Sequence, residues 1–189
     1  MIAAHIVFGC YGFWPPNDPR GSWSTYVGSR KLYHFAGPAT KVDTTHSRAH
    51  DEHDVQFRLD IKNALKYPAV VLTGRQALAA THGFQIAVDE SQIVIFACSI
   101  MPNHVHLVVQ THTKSFTGIV AHLKSRATKQ MNHENQRPLD GVRSPWARGH
   151  WEVWLDTDAE VFSAIDYVEQ NPIRDGLKPQ RWPFVVPYS

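Results

Sequence analysis

The sequence predicts a mixed α+β fold, and three observations carry that reading. A hairpin pattern runs from about Gln92 to Val109. Within it Val105, Leu107 and Val109 alternate with His104, His106 and Val108, the period of a strand. Two stretches elsewhere carry apolar stripes at helical spacing behind N-capping residues. Finally, 189 residues with 43% hydrophobic content suffice for one sizeable core, so residues 1–189 are expected to form a single domain.

In chain order, Ala4 to Gly9 reads as a first, buried strand. Residues 10–54 then carry Pro15, Pro16, Pro19 and Pro38 among Gly12, Gly21, Gly28 and Gly37, with no sustained period, and read as a long irregular insertion. Its aromatic residues, Trp14 and Trp23 among them, stand beside Arg20, Arg30, Lys31 and Lys41. They suit either a stacking platform for unpaired bases or a loop packed on its own small core. His46, His50 and His53 with Asp51 and Asp54 are weaker candidates for metal ligands, because no rigid element fixes their geometry.

Phe57, Ile61, Ala64 and Leu65 space a helix that Pro68 stops, and Thr73 with Gln76 has the capping-box form for a second helix reaching toward Val88 despite Gly83. The strand from Gln92 to Ser99 joins the histidine strand through Met101-Pro102-Asn103, a connection short enough for a hairpin. Ser115 caps the next helix, whose stripe is Phe116, Ile119, Val120, Leu123, Ala127 and Met131. Between Lys114 and Arg148 lie seven basic residues (Lys114, Lys124, Arg126, Lys129, Arg137, Arg143 and Arg148) against two acidic ones, a run suited to phosphate contacts or simply to a solvated face. Trp151 to Leu155 alternates as a last strand. Thr157 with Glu160 is a second capping box, opening a helix buried through Val161, Phe162, Ile165 and Val168. Tyr167 lies off that stripe, and Asn171 follows one turn later, just before Pro172.

Composition narrows the function classes. The formal charge of +2 is nearly balanced, and the two cysteines, Cys10 and Cys98, both sit in apolar runs. They predict buried thiols in a reducing compartment, hence a cytoplasmic protein, and argue against a disulfide framework. No apolar run is long enough to span a bilayer, and the N-terminus lacks the pattern of a secretory signal, so no membrane partner is expected. The chemistry is concentrated in His104 and His106. Side chains at i and i+2 of a strand point the same way, roughly 6.5 Å apart at ~3.3 Å rise per residue, close enough for two imidazoles to share one cation. An exposed polar pair would have the same spacing.

Two segments resolve that choice by resemblance. Met101-Pro102-Asn103-His104-Val105-His106-Leu107 and Tyr167-Val168-Glu169-Gln170-Asn171-Pro172-Ile173-Arg174-Asp175-Gly176-Leu177, in that order with a basic helix between them, resemble the HUH single-tyrosine transposases of bacterial insertion sequences, particularly the REP-associated tyrosine transposases. The resemblance covers residues 92–177 and extends to the first strand; it does not account for the insertion or for the tail from Lys178 to Ser189.

It implies a ferredoxin-like sandwich, with an antiparallel central sheet and helices on one face. It also implies a nuclease and strand-transferase acting on single-stranded DNA that bears a hairpin or palindromic repeat. Tyr167 would be the nucleophile, forming a 5′-phosphotyrosine, and His104, His106 and Asn171 would hold a divalent metal, Mg²⁺ or Mn²⁺. Lys114, Lys124, Arg126, Lys129, Arg148, Trp14 and Trp23 are the candidate DNA contacts. Whether Tyr167 acts in its own subunit or across a homodimer stays open. A non-catalytic single-strand binding module of the same fold is the alternative; it would need the aromatics and the charge, but not His104, His106, Tyr167 and Asn171 together.

Overall fold

The computed structural model describes residues 1–44, 48–138 and 144–189. Four strands, β1 (Ala3–Gly9), β2 (Ile95–Ile100), β3 (His104–Gln110) and β4 (Trp151–Leu155), form one antiparallel sheet in the order β2-β3-β1-β4. The principal helices are α3 (Gly74–Ser91) between β1 and β2, α4 (Phe116–His133) between β3 and β4, and α5 (Asp158–Arg174) after β4. The strand-helix-strand, strand-helix-strand repeat with β1 and β3 central is the ferredoxin-like arrangement. Two shorter helices, α1 (Arg30–Ala36) and α2 (Val55–Asn63), precede α3.

Local signals set most of these boundaries. Thr73 and Gln76 close the expected capping box on α3, and Thr157 and Glu160 close the one on α5. Ser115 accepts from Gly118 N–H at the start of α4. The six stripe residues of α4 are all buried, each contributing about 1.5–3 kcal/mol relative to exposure. The second strand starts later than Gln92 because Gln92 adopts the left-handed conformation (φ 52°) and caps α3, its N–H bonding to Val88 C=O.

One expectation about the layers is corrected. Helices α3 and α4 do cover one face, packing Phe84, Ile119 and Leu123 on Ile6, Phe8, Val105, Leu107 and Val109. The second face is covered too: α5 buries Val161, Ala164 and Val168 against Ala3, Phe96, Ala97 and Val108. The alternate residues of β1, β2 and β3 are apolar enough to need a second helical layer.

The insertion is irregular apart from α1, which Ser29 caps through Leu32 N–H. It folds around a polar centre. Buried Asp18 pairs with buried Arg20 at 2.8 Å, and the Arg20 guanidinium lies 3.7 Å from the Trp14 ring centre. Trp14 donates to Gly21 C=O at 2.7 Å. The residues after α5 pack on the outer edge of β2: Phe184 enters the core, Val186 N–H bonds to Ile95 C=O, and the Gln180 amide makes two hydrogen bonds with the Ile100 backbone. Both cysteines are free and buried, and among the described residues no helix is long and apolar enough to cross a membrane.

Candidate active site

The strand period puts His104 and His106 on the α5 face of the sheet, with Val105 and Leu107 in the opposite core. Their ring centres are 4.7 Å apart. Above them α5 presents Tyr167 and Asn171 on one helix face, and its C-cap residue Asp175 follows at the same four-residue spacing. The Tyr167 ring meets His106 edge-on at 5.7 Å, and the Asp175 carboxylate, one helical turn past Asn171, acts electrostatically on His104. Asn171 therefore stands on the same helix face as the ring that meets His106.

Pro172 lies inside α5 without ending it. The helix closes afterwards through a Schellman motif: Leu177 N–H bonds to Pro172 C=O, Gly176 N–H to Ile173 C=O, and Gly176 takes φ +74°. Asn171 is thereby held in the last helical turn. Its Nδ2 is buried without a hydrogen-bond partner, an arrangement that asks for an occupant. Tyr167 remains 37% exposed, so its phenol is open to a substrate, and the Arg174 guanidinium lies 5.6 Å from its ring centre.

Three histidines meet here, not two. His5, from the middle of β1, places Nε2 3.1 Å from His106 Nδ1 and packs edge-on to Tyr167 at 5.6 Å and to Trp151 at 5.4 Å. His104 Nδ1 is 2.6 Å from Asn103 Oδ1, and the Phe13 ring stacks on His104 at 4.6 Å. Gly9, paired with His104 across the sheet, leaves room for that ring; a Cβ there would sit 3.0 Å from Phe13. Burial pushes His5 and His104 down to about 4, with Asp175 opposing the shift at His104. Burial, and then the neighbouring His104 and His5, push His106 well below the usual histidine range. All three rings are therefore neutral near pH 7, the form in which imidazole binds a metal.

The other candidate residues separate sharply. Trp23 is 39% exposed and packs on Trp151, which leans on His5, so it lies on the rim of the site. Arg148 is exposed and donates to the Tyr26 hydroxyl at 2.6 Å. Trp14 is bound up in the centre of the insertion with Arg20 and Gly21. Helix α4 packs on the sheet face away from Tyr167, so its cations do not line the crevice.

Lys124 and Arg126, expected as DNA contacts, both have partners within the chain. Lys124 turns inward to the carbonyls of Ala147 and Gly149 and over the Phe8 ring, while Arg126 pairs with Glu90 of α3. Lys129 is exposed on α4, and Lys114 is exposed beyond Gln110, at the opposite end of β3 from His104. Three of these insertion residues have structural contacts: Asp54 caps α2, Asp51 pairs with Arg48, and His53 bonds to the Asp51 backbone, while His50 is exposed. His46 and Arg143 lie outside the described residues. Sequence reasoning missed His5, Phe13 and Trp151, and only the histidine interrupting an apolar strand offered a signal.

An antiparallel sheet that sets two neutral imidazoles beneath a tyrosine borne on a helix defines a class of α+β proteins with nucleophile and ligand candidates in one crevice. The chain belongs to the IS200-like transposase family, whose model matches residues 56–171. A protein of Haemophilus influenzae described as a REP-associated tyrosine transposase is 27% identical over 97 residues, covering 47% of this chain and 55% of that protein. The chain thus spans about half the length of this curated relative. Among solved structures, a REP-associated tyrosine transposase bound to a REP hairpin matches with a TM-score of 0.50 at 14% identity, over 97% of this chain and 74% of that one, a likeness of fold.

Proposed function

We propose that this transposase-family chain nicks and rejoins single-stranded DNA at a hairpin through a 5′-phosphotyrosine formed on Tyr167. The observation that carries the reading is the meeting of Tyr167, His106 and His104 in one crevice, with Asn171 on the same face of α5 as Tyr167. A non-catalytic binding module has no need of that convergence.

The donor set fits a divalent cation. Among the described residues no three His, Cys, Asp or Glu side chains gather into a cation site; the proposed donors are the two neutral imidazoles of His104 and His106 and the Asn171 amide. Turning the Asn171 amide half a revolution puts its oxygen at the buried position that now lacks a partner. Mg²⁺ or Mn²⁺ suits such a set, Mn²⁺ tolerating nitrogen ligands better. A cation held by His104, His106 and Asn171 would withdraw charge from the scissile phosphate and orient it.

The remaining steps belong to the chain. The Tyr167 oxygen bonds to phosphorus as the bond from phosphorus to the 3′ oxygen breaks; the phenolic proton is lost to solvent and the 3′ oxygen gains one. The free 3′-hydroxyl can reverse the reaction, so strands are exchanged without an external energy source. Packing against His5 and His106 fixes the ring while leaving the phenol accessible. Trp23 on the rim and the exposed Arg148 suit an unpaired base and a phosphate, which favours a single strand over a stiff duplex.

The test is incubation of end-labelled hairpin-bearing single strands with the protein and Mn²⁺, followed by denaturing electrophoresis. A covalent protein–DNA band is expected with the native chain and none with Tyr167→Phe, at DNA affinity within about 2-fold, because only the attacking oxygen is removed. An adduct that persists in Tyr167→Phe refutes the assignment.

A further inference from the structure

Each histidine of the His-Val-His segment has its Nδ1 occupied from a different part of the chain. For His104 the partner is the oxygen of Asn103, the residue before β3, at 2.6 Å. An amide oxygen only accepts, so His104 carries its hydrogen on Nδ1 and leaves Nε2 with a free lone pair. For His106 the partner is Nε2 of His5, at 3.1 Å, from the neighbouring strand β1. Register makes that contact: Val7 lies opposite His106 and His5 opposite Val108, so His5 is the diagonal neighbour on the same face.

The contact is a hydrogen bond in the plane of both rings. Their planes differ by only 19°, and the centres are 5.3 Å apart with the nitrogens 3.1 Å apart. The difference between those distances is that of two imidazole radii, so both nitrogens lie near the line joining the ring centres, not in stacked rings. Two nitrogens converging on one shared cation at about 2.1 Å could stand equally close, but their rings would then tilt together and bring the centres nearer. Trp151 and Tyr167 meet His5 edge-on, holding its ring in place.

We infer that His5 is a positioning residue that keeps His106 in the tautomer with hydrogen on Nδ1, so that His106, like His104, offers Nε2 to the divalent cation. The inference rests on the proposed metal role of His104 and His106. His5 then does for His106 what Asn103 does for His104: each ligand nitrogen is set by the hydrogen bond its other nitrogen makes. It also explains why a polar ring, only 9% exposed, stands in the middle of β1.

The test is read first on the metal-free protein, by long-range ¹H–¹⁵N correlation of the imidazole nitrogens. His106 is expected as the Nδ1–H tautomer in the native chain and in His5→Gln, whose side-chain oxygen can accept the same hydrogen. In His5→Leu, which has no acceptor, Nε2–H signal is expected to grow in. Mn²⁺ titration should then show about 10–100-fold weaker binding in His5→Leu and less than about 3-fold change in His5→Gln. An Nε2–H tautomer at His106 in the native protein overturns the inference whether or not either variant folds. So does His5→Leu with unchanged tautomer and affinity, or His5→Gln weakened as much as His5→Leu. Failure of the transposase reading itself would show separately, in the Tyr167→Phe adduct assay, which the metal-free spectrum does not depend on.

Discussion

Gly83→Ala separates helix propensity from packing, because the two act in opposite directions. In an isolated helix the change is stabilising by about 1 kcal/mol, since glycine is the poorer helix former. Here Gly83 lies in α3 where α4 crosses it. A Cβ would stand 2.5 Å from Ala127 Cα, 2.6 Å from Ala127 N and 2.6 Å from the carbonyl carbon of Arg126. Carbon pairs settle at about 3.5–4.0 Å, so the helices must part by about 1 Å, and all three atoms are backbone, which no rotamer change relieves. Parting them loosens Phe84, Leu123 and Ala127, all fully buried.

Overpacking of this kind costs about 1–3 kcal/mol, and the upper end applies to a rigid backbone contact; after the propensity gain the expected net loss is about 2 kcal/mol. Urea unfolding followed by tryptophan fluorescence measures it, with Trp146, packed on Phe84, as a reporter at the interface. Gly118→Ala is the control: it lies exposed in the first turn of α4, where the nearest atom to a new Cβ is Ser115 Oγ at 3.4 Å, and it should raise stability by up to about 1 kcal/mol. A Gly83→Ala chain as stable as the native one, or more so, refutes the close crossing of α3 and α4.

Three further outcomes follow from the site and its surroundings. His104→Ala or His106→Ala should abolish cleavage, as should a chelator, whereas Asn171→Ala should mainly raise the Mn²⁺ concentration required; metal titrations of cleavage distinguish the cases, and equal dependence in the Asn171 variant removes that residue from the site. Trp23→Ala should weaken single-strand binding by about 1–3 kcal/mol in a fluorescence titration, while Trp14→Ala, which breaks the Arg20 and Gly21 contacts, should lower the unfolding midpoint and leave the affinity of the folded protein alone. Burial pushes Lys124 down to about 8 from 10.5. Between those values the unfolded state binds more protons, so the Lys124 contribution to stability rises with pH, by about 3 kcal/mol over the full window. Burial raises the thiols of Cys10 and Cys98, which titrate in the opposite sense above about pH 9. The measurement is therefore the difference in unfolding free energy between the native chain and Lys124→Met from pH 7.5 to 10; a flat difference contradicts the buried cation.

What the sequence by itself determined is local. Thr73 with Gln76, Ser115, and Thr157 with Glu160 announce three helix starts because a cap bonds to backbone only two or three residues away. The two-residue period of β3 likewise put His104 and His106 on one side and Val105 and Leu107 on the other, since pleat alone decides it. Tyr167 and Asn171 share a helix face by the same kind of counting. Tertiary structure decided what meets across the chain. His5 touches His106 over a separation of 101 residues because β1 and β3 pair in one register and no other. Phe13 covers His104 because the backbone after β1 turns back over Gly9. Lys124 and Arg126 read as surface charge, yet one finds backbone carbonyls near β4 and the other finds Glu90 on α3. Trp14 and Trp23, alike on paper, part for the same reason, one enclosed by Arg20 and the other open beside Trp151. Caps and periods are written within a few residues, whereas the partner of a buried ring or a long cation is supplied by whichever distant backbone the packing brings to it.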